Sequence, residues 1–136
     1  MPGILHDRDP RTVWRELTVE DVPQARDLLV AAYRNALPYG YHDTGARTAW
    51  GGLVAGAINY GEIAIGATVN GGALCAVLVA RHSARAGGLV VEGVTGFGDI
   101  ATPEQLLTVA RQLAAERGQA LYARTVVPET VSYAAA

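Results

Sequence analysis

The segment Arg15-Glu-Leu-Thr-Val-Glu-Asp-Val-Pro-Gln-Ala-Arg-Asp-Leu-Leu29 joins the end of a predicted strand to the start of a predicted helix. Thr18, followed three residues later by Asp21, is typical of a helix N-terminus, because the hydroxyl caps free N–H groups and the carboxylate favours the positive end of the helix. Pro23 falls in the first turn, where its missing N–H is harmless. Apolar residues then recur at three- and four-residue steps, which predicts a helix over residues 19–37.

The elements on either side of this helix alternate in type. Asn70-Gly71 tolerates the positive φ values of a tight turn and separates two β-branched runs, which predicts a hairpin. A further run after a second turn extends the hairpin to an antiparallel meander of three strands. The predicted elements before and within the meander are a strand over residues 12–17, a second helix within 39–60, and strands over 62–69, 73–81 and 89–95.

A third helix is predicted from its two ends. Thr102 is the cap, Pro103 takes the first helical position, and Gly118 ends the helix in a left-handed conformation. A strand over residues 120–127 and a short tail follow. The chain therefore reads as an α+β protein with a mostly antiparallel sheet and the order β-α-α-β-β-β-α-β. We expect residues 1–11 to be a flexible tail and 12–136 to form a single domain.

The composition excludes several classes of protein. The chain has 136 residues, of which 50% are apolar and 18% charged, which is enough for one hydrophobic core. Its net charge of −2 gives no sign of the basic surface that binds nucleic acid. All 11 basic residues are arginine, which excludes lysine Schiff-base chemistry and a Walker-type phosphate loop. Cys75 is the single cysteine, so an internal disulfide and a cysteine metal cluster are excluded, and the three histidines have no metal-binding spacing.

The distribution of charge along the chain bears on its location. Charged residues precede any apolar run near the N-terminus, so no signal peptide is predicted. Asn70-Gly-Gly72 interrupts the longest apolar tract, which is then too short to span a membrane as a helix. We therefore expect a cytoplasmic protein with no membrane or nucleic-acid partner.

The element order, together with the phrase at residues 15–29, resembles the N-terminal and middle portions of the GNAT superfamily of acyl-CoA-dependent N-acyltransferases. The resemblance covers residues 12–128. It implies a GNAT-like fold that lacks the last helix and two strands of the family. It also implies acyl transfer to a small amine, with acetyl-CoA or another acyl-CoA as cofactor.

The resemblance implies a cofactor site between the third meander strand and the third helix. The family has Arg or Gln, two residues, Gly, one residue and then Gly or Ala, and its backbone N–H groups meet the pyrophosphate. The corresponding donors here are Gly96, Phe97 and Gly98, while Gly93 stands in place of Arg or Gln. Asp99 adds a carboxylate beside this position. The alternative is that these glycines form only a turn between a strand and a helix.

Three residues are candidates for catalysis. Glu92 lies within an apolar strand, where it either faces solvent or has a raised pKa that suits a general base. His82 ends the second meander strand in a polar turn that we expect beside the glycine-rich junction, and the alternative is a solvated turn histidine. By the resemblance, Tyr133 takes the place of the general acid for the leaving thiol.

Tyr39, Tyr41 and His42 form the most distinctive local composition and are the candidate substrate-binding residues. Aromatic rings with polar tips suit a small-molecule pocket. Alternatively, they pack the loop against the sheet.

Two other functional possibilities remain open. The strands that the family has and this chain lacks would leave an open sheet edge, and pairing between two copies would complete it, so we expect a homodimer. A GNAT-like domain that has lost CoA-dependent activity and acts as a dimeric small-molecule-binding or accessory protein is the alternative function. Catalysis other than acyl transfer in the same pocket is a third.

Overall fold

The computed structural model describes residues 4–5, 11–34, 43–127 and 130–135, with side chains described for residues 11–34 and 45–123. The strands are β1 (Ile4–Leu5), β2 (Thr12–Glu16), β3 (Ile63–Val69), β4 (Leu74–Ser83), β5 (Gly88–Thr95), β6 (Leu121–Val127) and β7 (Thr130–Ala135). The helices are α1 (Val22–Tyr33), α2 (Asp43–Asn59) and α3 (Pro103–Glu116), with a 3-10 turn at Val19–Asp21 before α1. The predicted order β-α-α-β-β-β-α-β is confirmed, with one additional strand before it and one after it.

A partly buried ion pair fixes the junction between β2 and α1. The guanidinium of Arg15 donates two hydrogen bonds to the carboxylate of Asp21, at 2.6 and 2.7 Å. The same carboxylate accepts hydrogen bonds from the backbone N–H of Thr18, at 2.8 Å, and from its hydroxyl, at 3.2 Å. The hydrogen bond from Arg15 is the main reason that the pKa of Asp21 lies below its usual value. The predicted helix start is therefore held by a carboxylate that also anchors the helix to the sheet.

The seven strands form one sheet in sequence order, β1 to β7. All neighbours are antiparallel except β5 and β6, which are parallel because α3 connects them. Asn70 and Gly71 have φ values of 55° and 70°, so the predicted hairpin turn between β3 and β4 is confirmed.

Helices cover both faces of the sheet and bury two sets of apolar side chains. Helices α1 and α2 pack on one face, where the buried set includes Leu29, Tyr33, Val54, Val77 and Val79. Helix α3 packs on the other face, where it includes Trp14, Ile65, Leu78, Leu106 and Leu113. The alternation of side chains along β4 explains this division, because Val77 and Val79 face one layer while Leu78 faces the other.

Helix α3 has the predicted ends. The hydroxyl of Thr102 accepts a hydrogen bond from the N–H of Gln105, at 3.2 Å, and the Gln105 side chain accepts one from the N–H of Thr102, at 2.8 Å. Pro103 is the first helical residue, and Gly118 has a φ of 65°. A reciprocal capping box and a left-handed glycine therefore bound this helix.

Two strands were not predicted. Ile4–Leu5 pairs with β2, within the segment expected to be a flexible tail, and Thr130–Ala135 pairs with β6 where a tail was expected. A two-residue strand is too short to give a periodic pattern, and alanine favours strands weakly. The first helix, predicted over residues 19–37, begins at Val22 after the 3-10 turn and ends at Tyr33, and residues 35–37 lie outside the described residues. Among the described residues, none of the helices combines the length and apolar character that crossing a membrane requires.

Candidate functional site

Strands β5 and β6 pair for only part of their length. The parallel register runs from Leu89 opposite Leu121 to Val91 opposite Ala123, although β5 continues to Thr95 and β6 to Val127. We call the two segments beyond this register, residues 92–95 and 124–127, the fork. Where the facing sides of two neighbouring strands do not pair with each other, their backbone groups can pair with a ligand instead. The fork is therefore the candidate binding site of this fold.

A β-bulge lies where the fork begins. On the other side of β5, Val79 pairs with Gly93 and Ala80 pairs with Val91, so Glu92 is an additional residue in β5. The Glu92 side chain is exposed. Bulges bend a strand and turn a side chain out of its regular alternation, and they are frequent beside active sites. The solvent-facing alternative for Glu92 is thus correct, and the carboxylate is accessible at the mouth of the fork.

Gly93 brings α1 and α2 close to β5. A Cβ atom on Gly93 would lie 2.6 Å from the ring of Trp50 in α2 and 3.1 Å from the side chain of Leu29 in α1. No side chain fits there without moving the indole. This contact explains in physical terms why glycine occupies the position that has Arg or Gln in the GNAT pattern.

The hydroxyl of Tyr33, the last residue of α1, is bonded to the backbone of β5 inside the fork. It donates a hydrogen bond to the carbonyl of Val94, at 3.1 Å, and accepts one from the N–H of Val94, at 3.0 Å. Burial raises the pKa of Tyr33, so the hydroxyl is protonated at neutral pH and can act as donor. The sequence placed Tyr33 only in the apolar stripe of the first helix, because nothing local distinguishes it from a core residue.

The glycines of the junction between β5 and α3 have local structural roles. A Cβ on Gly96 would lie 2.6 Å from the carbonyl oxygen of Ala101 and from the ring of Pro103. Phe97 and Ala101 exchange backbone hydrogen bonds of 2.7 and 3.1 Å, which closes a small loop. Gly98, with a φ of 53°, makes the turn of this loop. The predicted cofactor-binding residues are therefore adjacent in space, in a loop that the chain also needs for its own packing.

The backbone donors of this loop are partly used within the protein. The N–H groups of Phe97, Thr102 and Gln105 donate to other groups of the junction. Those of Gly98 and Asp99 donate to no other group within the described part of the chain. A phosphate at this loop would meet the latter two N–H groups and, beside them, the exposed Asp99 carboxylate.

His82 lies at the opposite end of β5 from the glycine-rich junction. It pairs with Leu89, whereas the junction begins at Gly96, seven residues and about 23 Å further along the strand. The expectation that His82 lies beside the junction is therefore corrected. The turn that suggested proximity connects β4 to the start of β5, and the junction follows the end of β5.

The end of the sheet around His82 is held by ion pairs. Glu62 forms an ion pair with Arg81 and accepts a hydrogen bond from the N–H of His82, at 2.9 Å. The guanidinium of Arg81 lies over the ring of Tyr60 and occupies the space above Gly56 in α2. These contacts anchor α2 to β4 and use the carboxylate of Glu62 for structure.

The remaining predicted site residues are three that follow α1 in the sequence and Tyr133. Tyr39, Tyr41 and His42 lie outside the described residues. Tyr133 lies in β7, the strand that pairs with the β6 arm of the fork, and its side chain is not among those described. Within the described residues, no group of three or more His, Cys, Asp or Glu side chains is arranged to hold a metal ion.

Comparison with known proteins identifies the fold. No protein-family model matches the sequence, and no curated protein matches it. A solved structure that does match is the apo crystal form I of RimL, a GNAT acetyltransferase described as the ribosomal L7/L12 alpha-N-protein acetyltransferase. The two chains are 14% identical, with a TM-score of 0.59 over 90% of this chain and 71% of the RimL chain. The chain therefore has a GNAT-like fold, as its element order and its capping phrase implied.

Proposed function

We propose that the protein is an N-acyltransferase that transfers an acyl group from acyl-CoA, most simply acetyl-CoA, to a small primary amine. The observation that carries this proposal is the fork between β5 and β6, which begins at the bulge that exposes Glu92. The GNAT-like fold supports it, and RimL is an acetyltransferase with that fold.

The proposed reaction is an acyl transfer in which every group has a source and a destination. The amine nitrogen attacks the thioester carbonyl carbon, a C–N bond forms and the C–S bond breaks. Glu92 is proposed to accept the proton that the nitrogen loses, from the solvent-facing position that it occupies and not from the buried position that would suit a base better. Tyr133 is proposed to donate a proton to the departing thiolate. The products are an amide and free CoA. His82 is the second candidate for the base, although its strand position places it further from the fork than Glu92.

The residues that bind the acyl donor and the amine are proposed from their positions in the sequence. We propose that Gly96, Phe97 and Gly98 bind the pyrophosphate of the acyl donor, with support from the Gly98 N–H, which makes no hydrogen bond within the described residues, whereas the Phe97 N–H donates to Ala101. Tyr39, Tyr41 and His42 are proposed to bind the amine. Their segment follows α1, whose last residue contacts β5 in the fork. The cytoplasm is the proposed location, because acyl-CoA is available there.

Replacement of Glu92 tests the catalytic assignment. Glu92→Gln should lower kcat about 100-fold, because the amide keeps the size of the side chain but cannot accept the proton. The Kd for acetyl-CoA should stay the same. Glu116→Gln, at the exposed C-terminal end of α3, is the matched control and should leave both values unchanged. Turnover of an amine panel by Glu92→Gln at the control rate would remove Glu92 from the mechanism.

A second function is favoured by the junction itself. Most of its described donors are satisfied internally, Asp99 places a carboxylate beside the free ones, and Gly93 replaces the Arg or Gln of the family pattern. These features favour a GNAT-like domain without CoA-dependent activity that binds a small molecule as a dimer or acts as an accessory protein. Such a dimer would pair the open edge at β7, and a monomer by sedimentation at high concentration would contradict it.

Titration with acetyl-CoA separates the two functions. A ligand that binds only the folded protein stabilises it by about 2.7 kcal/mol when its concentration is 100 times its Kd. The acyltransferase should show a clear increase in Tm at millimolar acetyl-CoA, with a binding isotherm by calorimetry. An unchanged Tm and no heat of binding would reject the acyltransferase and leave the binding protein.

A further inference from the structure

One hydroxyl group satisfies both backbone groups of Val94 in the fork. In a continuous sheet the N–H and carbonyl of a residue that face away from one neighbour pair with the next strand. The register with β6 ends at Val91, three residues before Val94, and Tyr33 supplies both a donor and an acceptor there. The side chain thus takes the position of a missing strand partner.

Packing holds the Tyr33 ring in this position. The side chain is buried, with 6% of its residue surface exposed, and its ring centroid lies 5.1 Å from that of Trp50 at an interplanar angle of 37°. Trp50 in turn lies against Gly93, the residue before Val94 in β5. Packing between α1, α2 and β5 therefore holds the hydroxyl against Val94 in the ligand-free protein.

We propose that the Tyr33 hydroxyl is an internal occupant of the acyl-donor site, which an amide of the pantetheine arm must displace from Val94 in order to bind. This inference rests on the proposed function. The pantetheine arm carries two amides, and an extended amide chain pairs with an unpartnered strand as a peptide does. Buried backbone groups without partners are costly, so Tyr33 stabilises the free protein and competes with the ligand at the same atoms.

The test is the affinity for acetyl-CoA of Tyr33→Phe, measured by titration calorimetry. Phenylalanine keeps the ring against Trp50 and removes the hydroxyl, so Val94 is free to pair with ligand. Acetyl-CoA should bind about tenfold more tightly to Tyr33→Phe than to the unchanged protein. Tyr60→Phe, at a tyrosine that is 78% exposed, should leave the affinity unchanged. Adenosine 3′,5′-bisphosphate lacks the pantetheine arm and should bind both proteins equally.

Each outcome decides between the inference and the function on which it rests. Binding to both proteins, tighter to Tyr33→Phe, supports both, and binding to Tyr33→Phe alone supports the occupant while rejecting acyl-CoA as donor for the natural chain. Equal or weaker binding to the variant overturns the occupant and leaves the acyltransferase. Absence of binding to either folded protein overturns both.

A measurement on the unchanged protein covers the case in which Tyr33→Phe does not fold. Acetyl-CoA should shift the NMR signals of the Val94 amide and of the Tyr33 ring, because the first exchanges its partner and the second loses its hydrogen bonds to Val94. Saturation of the protein without a shift of either signal would overturn the proposal.

Discussion

Gly93→Ala is expected to lower the free energy of unfolding by about 2 to 3 kcal/mol, because the added methyl group enters occupied space in the core. Its Cβ would lie 2.6 and 2.8 Å from two carbon atoms of the Trp50 ring and 3.1 Å from Leu29. Both neighbours are part of the packed layer between the helices and β5. Urea denaturation of the two proteins gives the difference directly.

Gly52→Ala is the matched control for this substitution. Gly52 lies in α2, is exposed, and has no atom within 4 Å of the position of an added Cβ. Alanine should therefore raise the stability by about 0.5 to 1 kcal/mol, through its greater helix propensity. If the cause at Gly93 is the indole, the loss should shrink in a Trp50→Ala background. A loss of the same size in both backgrounds would contradict the steric explanation.

Asp21→Asn is expected to cost about 2 to 3 kcal/mol at neutral pH, because it leaves the Arg15 guanidinium without its anionic partner. The Asp21 side chain is 11% exposed and that of Arg15 29%, so solvent replaces little of the lost interaction. Asp27→Asn, in α1 directly after the turn that holds Asp21 and 58% exposed, should change the stability by less than about 0.5 kcal/mol.

The pH dependence of the same pair has a definite sign. The pKa of Asp21 is lowered in the folded protein, so the unfolded chain binds its proton first as the pH falls. The stabilisation is therefore complete above the usual aspartate pKa and is lost below about pH 4 as the pH falls through the folded value. The difference between Asp21→Asn and the unchanged protein should shrink below that pH. A difference that stays constant down to pH 2 would show that the charge does not cause the loss.

Local signals predicted most of the fold. The Thr18 and Asp21 pair, the Asn70-Gly71 turn and the Thr102 cap each act within a few residues, so the sequence alone identifies them. Periodicity supplied the helices and the central strands. The outermost strands β1 and β7 were not predicted, because two residues of β1 give no periodic pattern and the alanines that end β7 favour strands weakly.

The candidate site was harder to predict, because its key features depend on register. Nothing near Glu92 in the sequence shows that it is the additional residue of a bulge, since that depends on the pairing of β5 with β4. The bond between Tyr33 and Val94 connects residues 61 positions apart. The sequence does not show that the Trp50 indole lies against Gly93 and leaves no room for a side chain there. The carboxylate itself, Glu92, was identifiable from its apolar strand context.

The short paired segment between β5 and β6 also determines how the protein unfolds locally. Three residue pairs join the β6–β7 hairpin to the rest of the sheet, whereas β4 and β5 share seven pairs. Free energies of local opening follow the number of backbone and apolar contacts that must break. The hairpin should therefore open as a unit while the β2–β5 body stays folded, so its amides should exchange with solvent earlier than those of β2 to β5. Any ligand that spans the fork would tie this weakly joined hairpin to the more stable part of the sheet.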